Sequence, residues 1–351
     1  MLATLPDDLD LSWWKIVPVS LRRYPETRVR AQKALDNAKR KSGKRLLDIL
    51  KRTLYALQYN GARRFFERNQ DAVGVIWNGL NGSRRAFAQG AKDAGARVLF
   101  YELSPFAGRV TVDPTGVNFE NSVPRDPKAF KHSVGRQWQL IAETITQRKS
   151  AAQPQPSGSS APERTENFIF VPLQVEGDSQ LRIFGGAFKT VESFVQAICL
   201  AAQHLPKGWQ VRIKEHPDHM GKQDDLIAKL SQGRVVLDNV TDTFDQVRQS
   251  KFVVTVNSSV GLESMFFKKP VVAAGHAFWA ISGVAELATS AKALEALFEQ
   301  PIRVGFDPET RESFLEFLVT EYYPDLSNKG ATTRHVRNLI EHGPEAYSVN
   351  K

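Results

Sequence analysis

The run Phe252-Val-Val-Thr-Val-Asn-Ser-Ser-Val-Gly-Leu-Glu263 decides the fold. Its first five residues are apolar or β-branched without a break, short enough for a strand buried on both faces. A polar Asn-Ser-Ser turn follows. Then Val260 to Phe267 carries apolar residues at helical spacing, and Val271 to Ala274 is a second apolar run. Strand, turn, helix and strand in that order form the parallel β-α-β unit. The alternation extends upstream: Phe168 to Leu173 reads as strand, Thr190 to His204 as helix, Trp209 to Lys214 as strand and Asp224 to Ser231 as helix. Val235 to Leu237 is then strand and Phe244 to Gln249 helix. Strands alternating with single helices predict a parallel sheet covered by helices on both faces.

Before this region lies Lys149-Ser-Ala-Ala-Gln-Pro-Gln-Pro-Ser-Gly-Ser-Ser-Ala-Pro-Glu163, which has no periodic apolar residues and reads as an exposed linker. Upstream of it, Asp71 to Trp77 and Val98 to Leu103 look like buried strands around a helix at Arg84 to Ala94. The 351 residues suit two domains of ordinary size. The expectation is therefore α/β, with two doubly wound Rossmann-like domains. Residues 1–148 form the first, 149–166 the linker and 167–305 the second. Residues 306–351 are helical and able to cross back onto the first domain.

In an open parallel sheet, ligands sit where loops leave the carboxyl ends of strands. Three polar clusters occupy such places: Pro172-Leu-Gln-Val-Glu-Gly-Asp-Ser-Gln180, Lys214-Glu-His-Pro217 and Asn257-Ser-Ser-Val-Gly-Leu-Glu263. Ser258 and Ser259 open a predicted helix, whose free N–H groups and dipole favour a phosphate, and Glu263 one turn inside is within reach of a ribose hydroxyl. The competing reading is plain helix capping. Lys214 and His216 are candidate phosphate contacts, and a histidine's unperturbed pKa of about 6.5 also suits His216 to protonating a leaving group. Pro217 keeps a helix from starting at His216. Asp178 or Glu176 can serve as general base, against the alternative of a turn aspartate.

This ordered set resembles the capsular polysaccharide biosynthesis family, Kdo transferases of the capsule lipid-linker type on a GT-B scaffold. The match continues through Lys269-Pro-Val-Val272 and Gly275-His-Ala-Phe278 and covers roughly residues 165–285. A weaker echo in the first half, Trp77-Asn78-Gly, Glu102 and Val112-Asp113-Pro-Thr-Gly-Val-Asn118, is similar to that family's acceptor side. The resemblance implies that His216, Pro217, Ser258 and Ser259 grip the CMP phosphate and nucleotide, and Lys214, Asn257 and Glu263 are further candidates for nucleotide binding. It implies that Asp178, or Glu176, deprotonates an acceptor hydroxyl that attacks the anomeric carbon of Kdo with inversion. The donor substrate is then CMP-Kdo, the acceptor a lipid or glycan, and no cofactor or metal is implied, because one departing phosphate can be stabilised by the helix and His216. Asp8-Leu-Asp10 precedes the first predicted strand and is a poor metal site. Sialyltransferases and glycerophosphotransferases of the teichoic-acid type resemble the same patterns and differ in donor.

Charge narrows the partners. The chain carries a formal net charge of +9, and residues 22–52 hold twelve cations against three acids, so this one stretch contains the whole imbalance. A basic nucleic-acid-binding protein is the non-catalytic alternative, but Tyr24 is the only aromatic in the basic run and no nucleic-acid partner is expected. Leu46, Leu47, Ile49, Leu50, Leu54 and Leu57 instead form an apolar stripe beside Lys44, Arg45, Lys51 and Arg52. With Lys39, Arg40, Lys41 and Lys44 as its cationic head, the stripe suits an anionic membrane surface. A solvated helix packed on the first domain is the bland alternative. With no span of ~18 apolar residues and no leader-like start, the expected place is the cytoplasm, peripheral at the inner membrane. The single cysteine, Cys199, lies on an apolar helical face and reads as core.

Overall fold

A computed structural model describes residues 4–12, 14, 16–38, 44–145 and 167–347. The expected linker 149–166 and the cations Lys39, Arg40 and Lys41 lie outside the described residues. The chain divides into two compact units, Met1–Pro124 with Thr320–Lys351, and Arg125–Val319. These boundaries differ from the expected 148 and 306: residues 125–145 and 306–319 go with the second unit.

The first unit opens with two helices, α1 (Thr27–Asp36) and α2 (Arg45–Arg68). Strand β1 (Gly74–Trp77), helix α3 (Gly82–Asp93) and strand β2 (Val98–Leu103) then make the β-α-β unit read from the sequence. β1 and β2 pair in parallel, with Val75 opposite Leu99. A third strand, β3 (Val110–Asp113), pairs antiparallel to β2 and lies in a stretch to which the sequence reading gave no element.

The second unit begins with α4 (Gln137–Thr144) and then follows the predicted alternation: β4 (Asn167–Pro172), α5 (Ser179–Phe184), α6 (Val191–Ala201), β5 (Trp209–Lys214), α7 (Asp224–Leu230), β6 (Val235–Leu237), α8 (Thr243–Gln249), β7 (Phe252–Thr255), α9 (Ser259–Met265) and β8 (Val271–Ala273). A two-residue strand β9 (Glu286–Leu287) and helices α10 (Ala291–Glu299) and α11 (Pro308–Phe317) complete it. All pairings in this sheet are parallel, in the order β6-β5-β4-β7-β8-β9. The α/β, Rossmann-like class read from the sequence is the fold observed.

The strands are apolar on both sides because both faces are covered. Ile169, Val171, Val211, Ile213, Val254 and Val256 share one core with Phe194, Val195 and Ile198 of α6, Ile227 of α7 and Leu294 and Phe298 of α10. Cys199 belongs to this core, fully buried, and burial lifts its thiol to about 11. The alternate residues Phe168, Phe170 and Arg212 point the other way by the period of the pleat. Arg212, though charged, is 3% exposed: its guanidinium lies 4.2 Å over the Phe168 ring and 3.8 Å from the Asp238 carboxylate, which supplies the charge partner that burial demands.

The last helix, α12 (Lys329–His342), belongs to the first unit. The segment before it is stitched to β3: Val110 N–H donates to the Pro324 carbonyl at 3.4 Å, Leu326 N–H to Gly108 at 2.9 Å, and the Arg109 guanidinium to the Tyr323 carbonyl at 2.6 Å.

Candidate functional site

The strand order supplies the first geometric fact about the site. From β4 the chain winds outward through β5 to β6, then returns to the opposite side of β4 as β7 and continues to β8 and β9. The direction of winding reverses between β4 and β7, which is the switch point where loops diverge and leave a crevice. β5 flanks β4 in register, with Pro172 opposite Lys214 and the Leu173 N–H donating to the Lys214 carbonyl at 2.9 Å. With strands about 4.8 Å apart, the loops after β5, β4 and β7 leave the sheet edge within about 10 Å of one another. Those three loops are the three polar clusters of the sequence.

Two of the loops are tied together across the switch point. Gln174 and Asn257, both buried, exchange hydrogen bonds: the Gln174 amide donates to Asn257 Oδ1 at 3.0 Å, and the Asn257 backbone N–H donates to Gln174 Oε1 at 3.3 Å. Asn257 Nδ2 also donates to the carbonyls of Gln180 at 3.1 Å and His276 at 3.4 Å. One asparagine thus links the loops after β4, β7 and β8. Gln174 and His276 belong to quoted motifs, yet neither was singled out, because pairing across 83 residues leaves no local signal.

Asn257 being occupied, the residues after it open α9. Ser258 is the N-cap, its hydroxyl accepting from Val260 N–H at 3.2 Å, and it and Ser259 are half-buried. Capping is therefore real here, and a hydroxyl that caps still has a donor to offer. Gly261 is required by close packing, since a Cβ there would come within 2.8 Å of Thr255 Cγ2 and of the Trp279 ring. Glu263 is buried and engaged within the protein, so its reach toward a ribose is not open as the sequence suggested.

The carboxylates after β4 have separate duties. Asp178 is the N-cap of α5 and accepts from Gln180 N–H at 2.9 Å. Glu176 is exposed and accepts from Val191 N–H at 3.2 Å, which places it at the start of α6. Gly177 between them has φ +80°, a left-handed conformation that separates the two acids and that a glycine adopts without strain.

After β5 the reading of Lys214 needs correction. Its ammonium is buried and donates to the carbonyls of Asn239 at 3.0 Å and Thr241 at 2.6 Å, so it staples the loop after β6 instead of facing a nucleotide. Burial pushes this lysine below its ordinary range, with Asp238 and Asp242 opposing. Its neighbour Glu215, which sequence reasoning left without a role, is 3% exposed and accepts from four donors: Gly221 N–H at 2.7 Å, Lys222 N–H at 3.2 Å, Gln223 N–H at 3.1 Å and the Asn239 amide at 3.1 Å. These bonds fix the loop that starts at His216. His216 is half-buried, Pro217 follows it at the start of a single 3-10 turn, and Nδ1 accepts from Asp218 N–H at 3.2 Å. In the neutral ring that bond leaves the proton on Nε2, while the Asp218 carboxylate 3.6 Å from Nδ1 pairs with the ring when it is protonated.

The acceptor-side candidates lie in the first unit and fare differently. Asn78 adopts φ 65° just after β1 and donates its amide to the Glu102 carboxylate at the end of β2. These two form a half-buried polar pair at a strand end. Asn118, also left-handed at φ 57°, opens a short turn and is half-buried. Asp113 is a correction. It is fully buried, one oxygen accepting from Thr115 N–H at 2.7 Å, Thr115 Oγ1 at 2.9 Å and Gly116 N–H at 3.0 Å. The other oxygen accepts from Ser122 N–H and Oγ at 2.8 Å each and from the Tyr322 hydroxyl at 3.1 Å. With six donors around it, Asp113 builds its loop and meets no ligand. Among the described residues, no group of three or more His, Cys, Asp or Glu side chains gathers as a metal centre would.

Comparison with known proteins agrees with the motif reading. Residues 131–297 match the family model described as capsule polysaccharide biosynthesis protein. Protein FixF of Sinorhizobium fredii is 29% identical over 249 residues, covering 71% of this chain and 59% of that protein. The capsule polysaccharide modification protein LipB of Neisseria meningitidis is 32% identical over 134 residues, 36% of this chain and 32% of its own length. The chain spans less than two thirds of the length of these relatives. A solved structure titled Thermosulfurimonas dismutans KpsC, beta Kdo 2,7 transferase, covers 80% of this chain and 89% of its own at a TM-score of 0.47 and 15% identity, a similarity that says nothing of substrate. The resemblance to the capsule polysaccharide biosynthesis family holds.

Proposed function

We propose, with that family resemblance as the premise, that the chain is a glycosyltransferase that moves Kdo from CMP-Kdo to a lipid or glycan acceptor at the inner-membrane surface. The observation that carries the reading is the Gln174–Asn257 pair across the β4/β7 switch point, which brings the Asp178 loop and the Ser258-Ser259 turn to one sheet edge beside His216. In this reading CMP lies along that edge. Ser258, Ser259 and the first N–H groups of α9 meet its phosphate, and His216, with its Nε2 proton, donates to the departing oxygen.

Asp178 takes the proton of the acceptor hydroxyl. Its role as N-cap suits this, because the bond from Gln180 N–H fixes one oxygen and holds the other in a set direction. The acceptor oxygen then bonds to the anomeric carbon as the bond to the CMP phosphate breaks, and the configuration inverts. A single phosphate leaves, so the chain's own donors suffice for its charge.

The test is transfer by the purified protein, measured as CMP release and product mass with CMP-Kdo, CMP-sialic acid or CDP-glycerol as donor. Transfer with either of the last two alone would replace the donor assignment. Within the reaction, Asp178→Asn separates capping from basicity, since asparagine caps as well as aspartate but cannot accept the proton. The expected result is a loss of about 10²–10⁴-fold in rate with CMP binding and melting temperature preserved, while Glu176→Gln retains activity. Full activity in Asp178→Asn would remove Asp178 from the chemistry.

A further inference from the structure

The first three turns of α2 carry the strongest signal outside the sheet edge. Downstream, Tyr55, Gln58, Tyr59, Ala62 and Phe66 are buried, so that part of the helix is anchored in the first unit. Upstream the apolar side chains stay in solvent: Leu46 is 69% exposed, Leu50 56%, and Leu47, Ile49 and Leu54 each above 40%. At about 100° per residue these five fall within one arc of about 160°. Arg45, Lys51 and Arg52 occupy the opposite arc, with Asp48 the only acid among them, and Lys44 immediately precedes the first turn. Exposed leucines scattered singly need no explanation, whereas five on one stripe of one helix mark a surface that is covered in use.

Charge selects the cover. A groove on a partner protein would need the apolar stripe alone, but here the stripe is framed by cations inside the segment that holds the whole net charge of the chain. Cations flanking an apolar arc, on a helix that lies too low in hydrophobicity to span, are what an anionic lipid interface rewards. Among the described residues, no helix is long and apolar enough to cross a membrane. We infer that residues 45–54 of α2 lie in the plane of an anionic bilayer surface, with Leu46, Leu47, Ile49, Leu50 and Leu54 inserted among the acyl chains and Arg45, Lys51 and Arg52 at the headgroups. The inference names the surface by which the proposed transferase meets a lipid-linked acceptor. It rests on that reading for its purpose only, since lipid binding is measured with neither donor nor acceptor present.

The experiment is sedimentation of the full chain with vesicles of phosphatidylcholine alone or with phosphatidylglycerol added, at low and high salt. Binding to the anionic vesicles, weakened by salt and at least tenfold weaker to the neutral ones, is expected. Leu46→Glu with Leu50→Glu should lower anionic binding more than tenfold, and Lys51→Glu with Arg52→Glu should remove its salt dependence. Leu46, Leu50 and Arg52 are exposed and Lys51 is half-buried at the surface, so circular dichroism and melting should match the parent. Leu50→Trp should add emission, over that of the six native tryptophans, that moves to shorter wavelength on binding and is quenched by brominated acyl chains. Equal binding to neutral and anionic vesicles, or binding unchanged in both double variants, overturns the inference. So does a concentration-dependent dimer that Leu46→Glu with Leu50→Glu abolishes while anionic vesicles bind nothing.

Discussion

Replacing Glu215 by glutamine tests whether one buried carboxylate holds the loop of His216. Oε2 accepts from Gly221 N–H and the Asn239 amide, and Oε1 from the N–H groups of Lys222 and Gln223. Glutamine keeps one oxygen and sets an NH2 group against the other two donors. At least two bonds to a charged acceptor are lost, each worth about 1.5–3 kcal/mol, so the cost is about 3–6 kcal/mol. Typical domains are stable by about 5–15 kcal/mol, which leaves the variant folded but much weakened. Urea unfolding should show an earlier midpoint. Amide hydrogen exchange at Gly221, Lys222 and Gln223 should accelerate more than in the strands. CMP affinity should fall too, because the loop that presents His216 loses its anchor. A stability change below about 1 kcal/mol, well under the cost of even one such bond, with exchange at 221–223 unaltered, would refute the reasoning.

His335 on α12, beside the Tyr347 hydroxyl at 3.3 Å, is pushed down to about 4 by burial. Its folded value lies below the unfolded value near 6.5, so the unfolded chain binds the extra proton first, and stability should fall as pH drops from about 6.5 to about 4. The loss is at most about 3.5 kcal/mol, less because water reaches the half-buried ring, and His335→Gln should flatten that slope in pH-dependent urea titrations. Gly261→Ala should destabilise the second unit by about 1–3 kcal/mol, since the new methyl meets Thr255 and Trp279 at 2.8 Å. A melting temperature unchanged in that variant would show that the indole yields freely. Tyr322→Phe removes one of six donors to Asp113, and a loss of about 1–3 kcal/mol is expected for a bond to a buried carboxylate, read by denaturant unfolding.

The second unit was legible because fully buried parallel strands leave continuous apolar runs, and Trp209 to Lys214 and Val235 to Leu237 were bounded to the residue. The three polar clusters were legible for the related reason that loops interrupt those runs at the ends where ligands bind. What each side chain does there was not. Lys214 and Glu215 are adjacent and look equally suited to a ligand, yet their partners are Asn239, Thr241 and the turn at 221–223, all set by how the loops after β5 and β6 meet. Asp113 failed likewise: a tyrosine 209 positions away is one of its donors. Long-range polar pairing carries no period and no composition, so a sequence names the polar residues without naming their partners.

The stitching of residues 322–326 onto β3 and the residues just before it has a consequence for how the protein is made. Ribosomes deliver the chain from the amino end, and domains generally fold as they emerge. Arg125–Val319 includes every residue of the second unit, so that unit needs none of the residues after Val319 to fold. The first unit must wait, with the Asp113 carboxylate short of its tyrosine and β3 short of the Pro324 and Leu326 backbone contacts. A chain stopped after Val319 would accordingly keep one finished Rossmann-like body and one that aggregates or is degraded.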